Sequence, residues 1–516
     1  MNKTNMLFAL IVLGLLLAGF ARGTVFASHQ VRRMRWRTRL RLRPGTGFAS
    51  HWEIMFRFSR LAALVHGRRC RPDMRITGRV LAPARMYAVR LGRAQLGRKA
   101  YARGEDQVGI IAPQRTNKTG ILADRLYGHP GAAVAVTTRA DLYQLTSGKR
   151  CQLGPVQVFN PEGIGGIASD FRVDIVADCA DPEVAIRTAS ALTGPTEGSG
   201  DMQFWLEKAV FAMAALLHAA ALLGQDMSAV WRWSQRLGDP IRDALACPGA
   251  SAELLAAAAE IQREGKSADS IRMTMARSLA WVGVPALRRA VSGKDIRPFN
   301  AAQWVRHYGT LYVINSGELS AAAPLFRSVI EKVHRDCVLA GSLTPFGRIP
   351  NPVLFALDEV TQTAAVPLAE WLATSAGSGI QVCYVVHTPA QLRVRYGTDA
   401  AAAIWALTGT KIVLGGNTDQ EMADGISKLC GTYGGEMASP VVPVAYIRQL
   451  PESRALVLAM NRSLIAVKVR PVWRRASFRL RFNPPAYQPL PEPVWLPGAE
   501  TIAQLNETAP TLEDAG

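Results

Sequence analysis

An α/β fold, in which a parallel sheet is interrupted by an all-α unit, is predicted by three observations. Apolar runs of strand length recur along the chain and alternate with helical patterns, the signature of parallel βα units. The stretch 179–295 breaks this rhythm and reads as helix only. Two of the strand-like runs end in chemically loaded turns, Lys118–Thr119 and Asp358–Glu359, which suits loops at the carboxyl edge of such a sheet.

Before the sheet comes an uninterrupted apolar run, Met6 to Ala21, of about 16 residues, slightly short of the roughly 20 that cross a bilayer comfortably. Lys3 gives it a thin positive start, as in a signal peptide, but no clean A-x-A site follows and the dense positive charge lies after the run. We read residues 1–27 as one retained transmembrane helix, with a cleaved signal as the alternative. The positive-inside rule then keeps the bulk of the chain cytoplasmic, at the plasma (inner) membrane as a single-pass protein. Residues 28–100 form a basic juxtamembrane and helical segment. Between Arg22 and Arg103 about twenty Lys and Arg face only Glu53 and Asp73. The Arg-rich block at 31–43 would be drawn to anionic headgroups at about 1 kcal/mol per charge. Ser50 is placed to cap a helix running through Leu64.

The whole chain has 516 residues, room for two or three domains, and a formal charge of +20 that favours anionic partners such as nucleic acid or a membrane surface. Its 7 cysteines are scattered without a C-x-x-C pair, which argues against a disulfide framework or a zinc site.

The sheet region opens at 101–178. Val108–Ile111 is apolar and leads through Ala112, Pro113, Gln114, Arg115, Thr116 and Asn117 into Lys118–Thr119–Gly120 and a helical stretch to Leu126. Strand, loop, Lys-Thr, helix is the layout of a phosphate-binding loop, G-x-x-x-x-G-K-[ST]. Both glycines are replaced, by Ala112 and Asn117, while the Lys and Thr that carry the charge and metal contacts remain. Further strands are predicted at 132–138 and 154–161. In the helical unit, Gln203 to Gln225 is apolar almost all round. It could be taken for a second span, but Glu207, Lys208 and His218 interrupt it, so it reads as a buried core helix with His218 as a core residue.

The sheet resumes at 296–480. Thr310–Ile314 is one strand; Val353–Leu357 is another, ending in Asp358–Glu359, as in a Walker B motif. Asp358, with Thr119, is placed to bind Mg²⁺, and Glu359 to orient and deprotonate an attacking water. Ile380–Val386 ends in His387, and a further strand over Thr410–Gly416 follows. Residues 481–516 are proline-rich and end in uncompensated acids, the composition of a disordered tail.

Several separated stretches in one order resemble the TraG/TraD-like coupling proteins of type IV secretion and conjugation. They include Thr137–Leu142 with Gly154–Pro161, Phe204–Trp205 leading into Leu216–Leu222, Arg297–Phe299 with Gly309–Tyr312, and Asp358–Glu359 followed by Pro367–Leu368 and Ala390–Leu392. Val413–Gly416 and Leu450–Leu456 continue the series, so the resemblance runs from about Phe48 to Arg475. It implies a RecA-like P-loop NTPase core with an inserted all-α domain, a homo-hexamer, and ATP-driven pumping of DNA with its bound relaxase to the secretion channel. It implies ATP and Mg²⁺ held by Ala112, Arg115, Thr116, Asn117, Lys118, Thr119, Gly120 and Asp358. Glu359, Lys118 and His387 would carry catalysis, with His387 sensing the terminal phosphate. Four departures stand out: the glycine-free loop, Arg139 for Lys, Asn160 for Asp, and His387 for Gln. The first leaves hydrolysis slow, or the site vestigial in a docking platform for DNA–protein substrate. A duplex DNA pump is a further alternative. Arg393 and Arg395 are candidates for reaching a neighbour's nucleotide.

Overall fold

The computed structural model describes residues 48–94, 97–194, 201–235, 251–261, 265–293, 296, 299–363, 365–416, 419–433 and 438–481. The expected anchor at 1–27, the Arg-rich block at 31–43 and the tail from 482 onward lie outside these residues.

Parallel strands come first in the argument because they set the site. In chain order the strands are β1 (Ala88–Arg93), β2 (Lys99–Arg103), β3 (Val108–Ile111), β4 (Ala133–Thr137), β5 (Val156–Phe159), β6 (Thr310–Ile314), β7 (Val353–Leu357), β8 (Ile380–Val386) and β9 (Thr410–Leu414). They continue with β10 (Thr432–Tyr433), β11 (Ser439–Pro440), β12 (Arg454–Ala459) and β13 (Ile465–Lys468). Among the described residues all but β10 and β11 join one 11-stranded sheet, in the order β2-β1-β13-β12-β9-β3-β8-β7-β4-β6-β5. From β9 to β5 the pairing is parallel. From β9 through β12, β13 and β1 to β2 it is antiparallel.

The parallel strands are mostly apolar because both of their faces are covered, and Gln381 in β8 and Lys411 in β9 are only half-buried. In β4, Val134 and Val136 enter one core while Ala133 and Ala135 enter the other. β7 divides in the same way, with Val353, Phe355 and Leu357 against Leu354 and Ala356. The Lys118–Gly128 helix covers the second face through Leu122, Ala123 and Leu126. The first face carries the helical material that separates β5 from β6.

Between β5 and β6 the described elements are all helical, including Pro182–Thr193, Asp201–Leu222, Met227–Gln235, Ala252–Ile261 and Lys266–Leu279. Asp201–Leu222 is apolar and long enough to cross a membrane by composition alone, yet its interior is buried in the protein. Met213, Leu216 and Leu217 sit in the same core as β4 and β7. His218 is buried there with Nδ1 2.9 Å from the Cys179 carbonyl.

The basic segment at 28–100, with its helix expected through Leu64, holds more than helix where it is described. His51–Arg57, Arg60–Cys70 and Ile76–Leu81 are helices, and Ser50 caps the first through the Glu53 amide. From Ala88 the chain is instead extended, in β1 and β2. Val89 and Leu91 point into the core, and the intervening Arg90 and the Gly92 that follows disguise the alternation. Gly92 is required there: at φ 150° a Cβ would lie 2.7 Å from the Lys468 carbonyl oxygen of the neighbouring strand.

Candidate nucleotide site at the carboxyl ends of the parallel strands

β8 lies between β3 and β7, so the turn after β8 falls between the loop that follows β3 and the acidic pair that follows β7. This strand order brings Lys118, Thr119, Asp358, Glu359 and His387 together although more than half the chain separates the first from the last. The Lys118 ammonium pairs with Glu359 Oε1 and is 3.0 Å from His387 Nε2. Thr119 Oγ1 donates to Asp358 Oδ2 at 3.2 Å. β4 delivers two further charges just past its end. Arg139 and Asp141 both act on Lys118 and on Asp358 through space. Both belong to the Thr137–Leu142 motif, and their place directly after a central strand is the sequence signal that they face the site.

The loop achieves its turn without glycine. Asn117 caps the helix at φ 63° and ψ 30°, and Arg115 also lies at φ 62°. Asn is the non-glycine residue that best tolerates this left-handed region, whereas Arg has no such preference. Ala112 is different. It is not among the positive-φ residues, it is fully buried, and its amide donates to the Val386 carbonyl at 3.0 Å as a continuation of β3 pairing with β8. A methyl group at position 112 therefore meets no backbone demand for glycine. Thr116 Oγ1 donates to the Pro113 carbonyl at 2.6 Å and so braces the loop internally. Gly120 serves packing: a Cβ there would lie 2.3 Å from Trp473.

The histidine's tautomer follows from its neighbours. Nδ1 lies 3.1 Å from the Ala112 carbonyl, which can only accept, so Nδ1 carries the proton. Burial and the Lys118 charge hold the imidazole below its ordinary pKa, so the ring is neutral and Nε2 accepts from Lys118. The resemblance casts His387 as a sensor of the terminal phosphate; in this arrangement Nε2 presents a lone pair, and it steadies the lysine.

Asp358 is the most perturbed group of the site. Burial pushes its carboxyl up to about 6, against the opposing pull of Lys118 and the Thr119 hydrogen bond. Its Oδ1 is buried with no hydrogen-bond partner. An unpaired carboxylate oxygen of this kind is costly unless something electropositive meets it. A hard divalent cation beside Thr119 Oγ1 would do so, and oxygen donors suit Mg²⁺. The residues present thus fit the metal. Glu359 follows at φ 47°, a strained conformation for a non-glycine residue at a functional position.

One departure from the family pattern and the two candidate trans-acting arginines acquire physical meaning. Asn160, buried at the end of β5, donates Nδ2 to the carbonyls of Ile164 and Ile167 at 3.0 and 2.7 Å and accepts from the Ile164 amide at 3.0 Å. A carboxylate could not make the first two bonds. Arg393 pairs with Glu421 at 2.6 Å and Arg395 with Glu318, so both candidate trans-acting arginines are engaged inside their own chain.

A parallel sheet with a loop-and-lysine helix after one strand and an acidic pair two strands away defines the P-loop nucleoside triphosphatase class of fold. The plasmid coupling protein TrwB, in complex with the non-hydrolysable GTP analogue GDPNP, superposes with a TM-score of 0.57 at 18% identity, over 71% of this chain and 86% of that one. TrwB in complex with ADP and Mg²⁺ gives 0.56 at the same identity, with the same 71% and 86% coverage. Residues 352–440, spanning β7 to β11, match the family described as the TraM recognition site of TraD and TraG. The likeness to TrwB is one of fold, and the family match is confined to that carboxyl-terminal stretch of the sheet. No curated protein sequence matches it.

Proposed function

We propose that the protein is a membrane-anchored coupling ATPase that recruits DNA with its bound relaxase and pumps it to a type IV secretion channel. The observation that carries the ATPase reading is the lone buried Oδ1 of Asp358, set beside Thr119 and across from Lys118. ATP would lie on residues 112–120, its phosphates over the amino end of the Lys118–Gly128 helix, where backbone N–H groups and the helix dipole favour anions. Lys118 exchanges Glu359 and His387 for phosphate oxygens. This release frees Glu359 to take a proton from water at Oε1, and leaves His387 to position the same water through Nε2. Thr119 and Asp358 would hold Mg²⁺, which supplies charge neutralisation on the phosphates. The nucleotide and Mg²⁺ complexes of TrwB support this choice of ligands.

The family match over 352–440 supports a relaxosome component of the TraM kind as partner for this part of the chain. The charge of +20 suits a sequence-independent grip on DNA phosphates. A homo-hexamer and a single-pass anchor in the inner membrane complete the proposal. Replacing Lys118 with Ala is the test: phosphate release by the purified protein should fall at least about 100-fold, since a charge-assisted phosphate contact is removed. Undiminished turnover in this variant would reject the site.

The Lys118–Glu359 ion pair favours one second reading, a nucleotide-binding docking platform in which lysine and acid silence each other. DNA-stimulated phosphate release by the wild-type protein would reject the platform; tight ATP binding without turnover would establish it.

A further inference from the structure

Toward the other end of the sheet lies a cavity of about 360 Å³, walled by β1, the carboxyl half of the Lys118–Gly128 helix and the segment after β13. Among its lining residues are Arg90, Lys99, Arg125, Arg470 and Arg475, and the only carboxylate is Asp124. We propose that this cavity is a second anion site, distinct from the nucleotide site, that takes a phosphate or phosphomonoester group.

The charges around Asp124 do not balance. Arg475 uses that carboxylate fully: Nε pairs with Oδ1, and Nη2 donates to Oδ2 at 3.0 Å and to the Asp124 carbonyl at 2.8 Å. The same guanidinium lies 5.3 Å from the Tyr127 ring centroid, which fixes its plane. Arg470 reaches Asp124 only at 3.6 Å, and its Nε is buried without a hydrogen-bond partner. Arg90 faces the same space; burial, then the Arg475 and Arg93 charges, hold its pKa below the ordinary value despite Asp124. Arg470 is lowered by burial and by Arg90 and Arg475 in turn. Guanidinium groups gathered around one occupied carboxylate repel one another, and the Arg470 Nε donor goes unmet.

A phosphate group answers both deficits. It carries up to two negative charges and three acceptor oxygens, and the guanidinium fork matches its geometry. A monocarboxylate would offset only one of the surplus charges. Ile110, Ile121 and Val89 form an apolar floor that raises the strength of any ion contact above it. Asp124 and Arg125 lie six and seven residues beyond Lys118 on one helix, about 9–10 Å along its axis, so the two sites are separate yet share an element.

Inorganic pyrophosphate, titrated into the full-length protein by calorimetry, tests the site. Wild type should bind two equivalents, Lys118→Ala one, and the Arg90→Gln/Arg470→Gln double variant one, at the nucleotide loop. Combining all three substitutions should abolish binding. The double variant must still bind ATP, which shows that it folds and separates this site from the phosphate loop. Loss of all pyrophosphate binding in Lys118→Ala alone would overturn the proposal, as would retention of the second equivalent, within about twofold in affinity, in the triple variant. Monomeric short-chain phosphatidic acid as competitor in Lys118→Ala identifies the source. Displacement tighter than pyrophosphate itself assigns a lipid headgroup, and weaker displacement assigns a free phosphate.

Discussion

The two ends of the sheet handle charge in opposite ways. At the carboxyl ends of the parallel strands, Lys118 meets Glu359 and His387, and Thr119 meets Asp358, leaving one carboxylate oxygen over. Toward the amino ends, guanidinium groups crowd around a single carboxylate already held by Arg475. A surplus acceptor beside a lysine suits a cation bridging to phosphate. Surplus donors alone suit an anion without a metal. The same mixed sheet thus supports two kinds of site, and what distinguishes them is which sign of charge is left unpaired after folding.

The sharpest way to break the comparison is to remove the acid that balances the lysine. Glu359→Gln keeps the size and a hydrogen bond to Lys118 but cannot take a proton. ATP binding should persist while turnover falls about 1000-fold, about 4 kcal/mol of barrier, as expected for loss of a general base. Single-turnover phosphate release against nucleotide binding separates the two effects; equal losses in both would make Glu359 a binding residue instead.

Asn160→Asp tests whether the departures at this end are compensated locally. The substitution points a carboxylate at the carbonyls of Ile164 and Ile167, where the amide now donates. Two acceptors lose their donor and a buried charge is added, so stability should fall by about 2 kcal/mol. Thermal unfolding reads this directly, and acid should partly restore the variant, since a protonated carboxyl can donate one of the lost bonds. An unchanged melting temperature would mean that this loop is not held by residue 160.

At the amino end, His129 offers a pH test. It is buried, its Nε2 lies 2.8 Å from the Pro352 carbonyl, and burial, then Arg150, push its pKa down to about 3. The folded state therefore binds fewer protons than the unfolded state, whose histidine titrates near 6.5. Its contribution is fully present above about 6.5 and is lost as pH falls toward 3, by about 1.4 kcal/mol per pH unit. His129→Gln can keep a donor for Pro352 and does not titrate. Its unfolding free energy should decline less steeply than wild type between pH 6 and 5, by about that amount. Parallel slopes for the two proteins would count against a buried neutral imidazole.

How far all this could be read from residues alone depends on what surrounds each segment. β6 and β8 were legible to the residue, because strands buried on both faces are apolar at nearly every position, Thr310 and Gln381 being the exceptions. The turns after β3 and β7 were legible as the places where Lys118–Thr119 and Asp358–Glu359 come together. β1 was not, because its Arg90 and Gly92 answer to the cavity and to the passing β13 strand, neither of which local pattern can see. The basic cavity was invisible for the same reason. Arg90, Arg125 and Arg470 are far apart in sequence, and as separate residues each looks like ordinary surface charge. The orphaned oxygen of Asp358 likewise exists only once β7 is buried between β8 and β4.

The loop glycines mark the subtlest difference between pattern and structure. The motif's first glycine position, Ala112, has no need of one; the strain sits instead at Arg115, which no pattern singled out for its backbone. A non-glycine residue in the left-handed region costs roughly 1 kcal/mol. Glycine at 115 would remove that cost but add freedom to the unfolded chain worth about 0.5–1 kcal/mol. Arg115→Gly should therefore change stability by less than about 1 kcal/mol, with the two effects nearly cancelling. Nucleotide affinity separates what stability cannot. If the exposed Arg115 guanidinium contacts phosphate, affinity should fall about tenfold while the melting temperature holds. If its role is only to complete the turn, affinity should be unchanged and Arg115→Ala, which keeps the strain but loses the charge, should match the wild type as well.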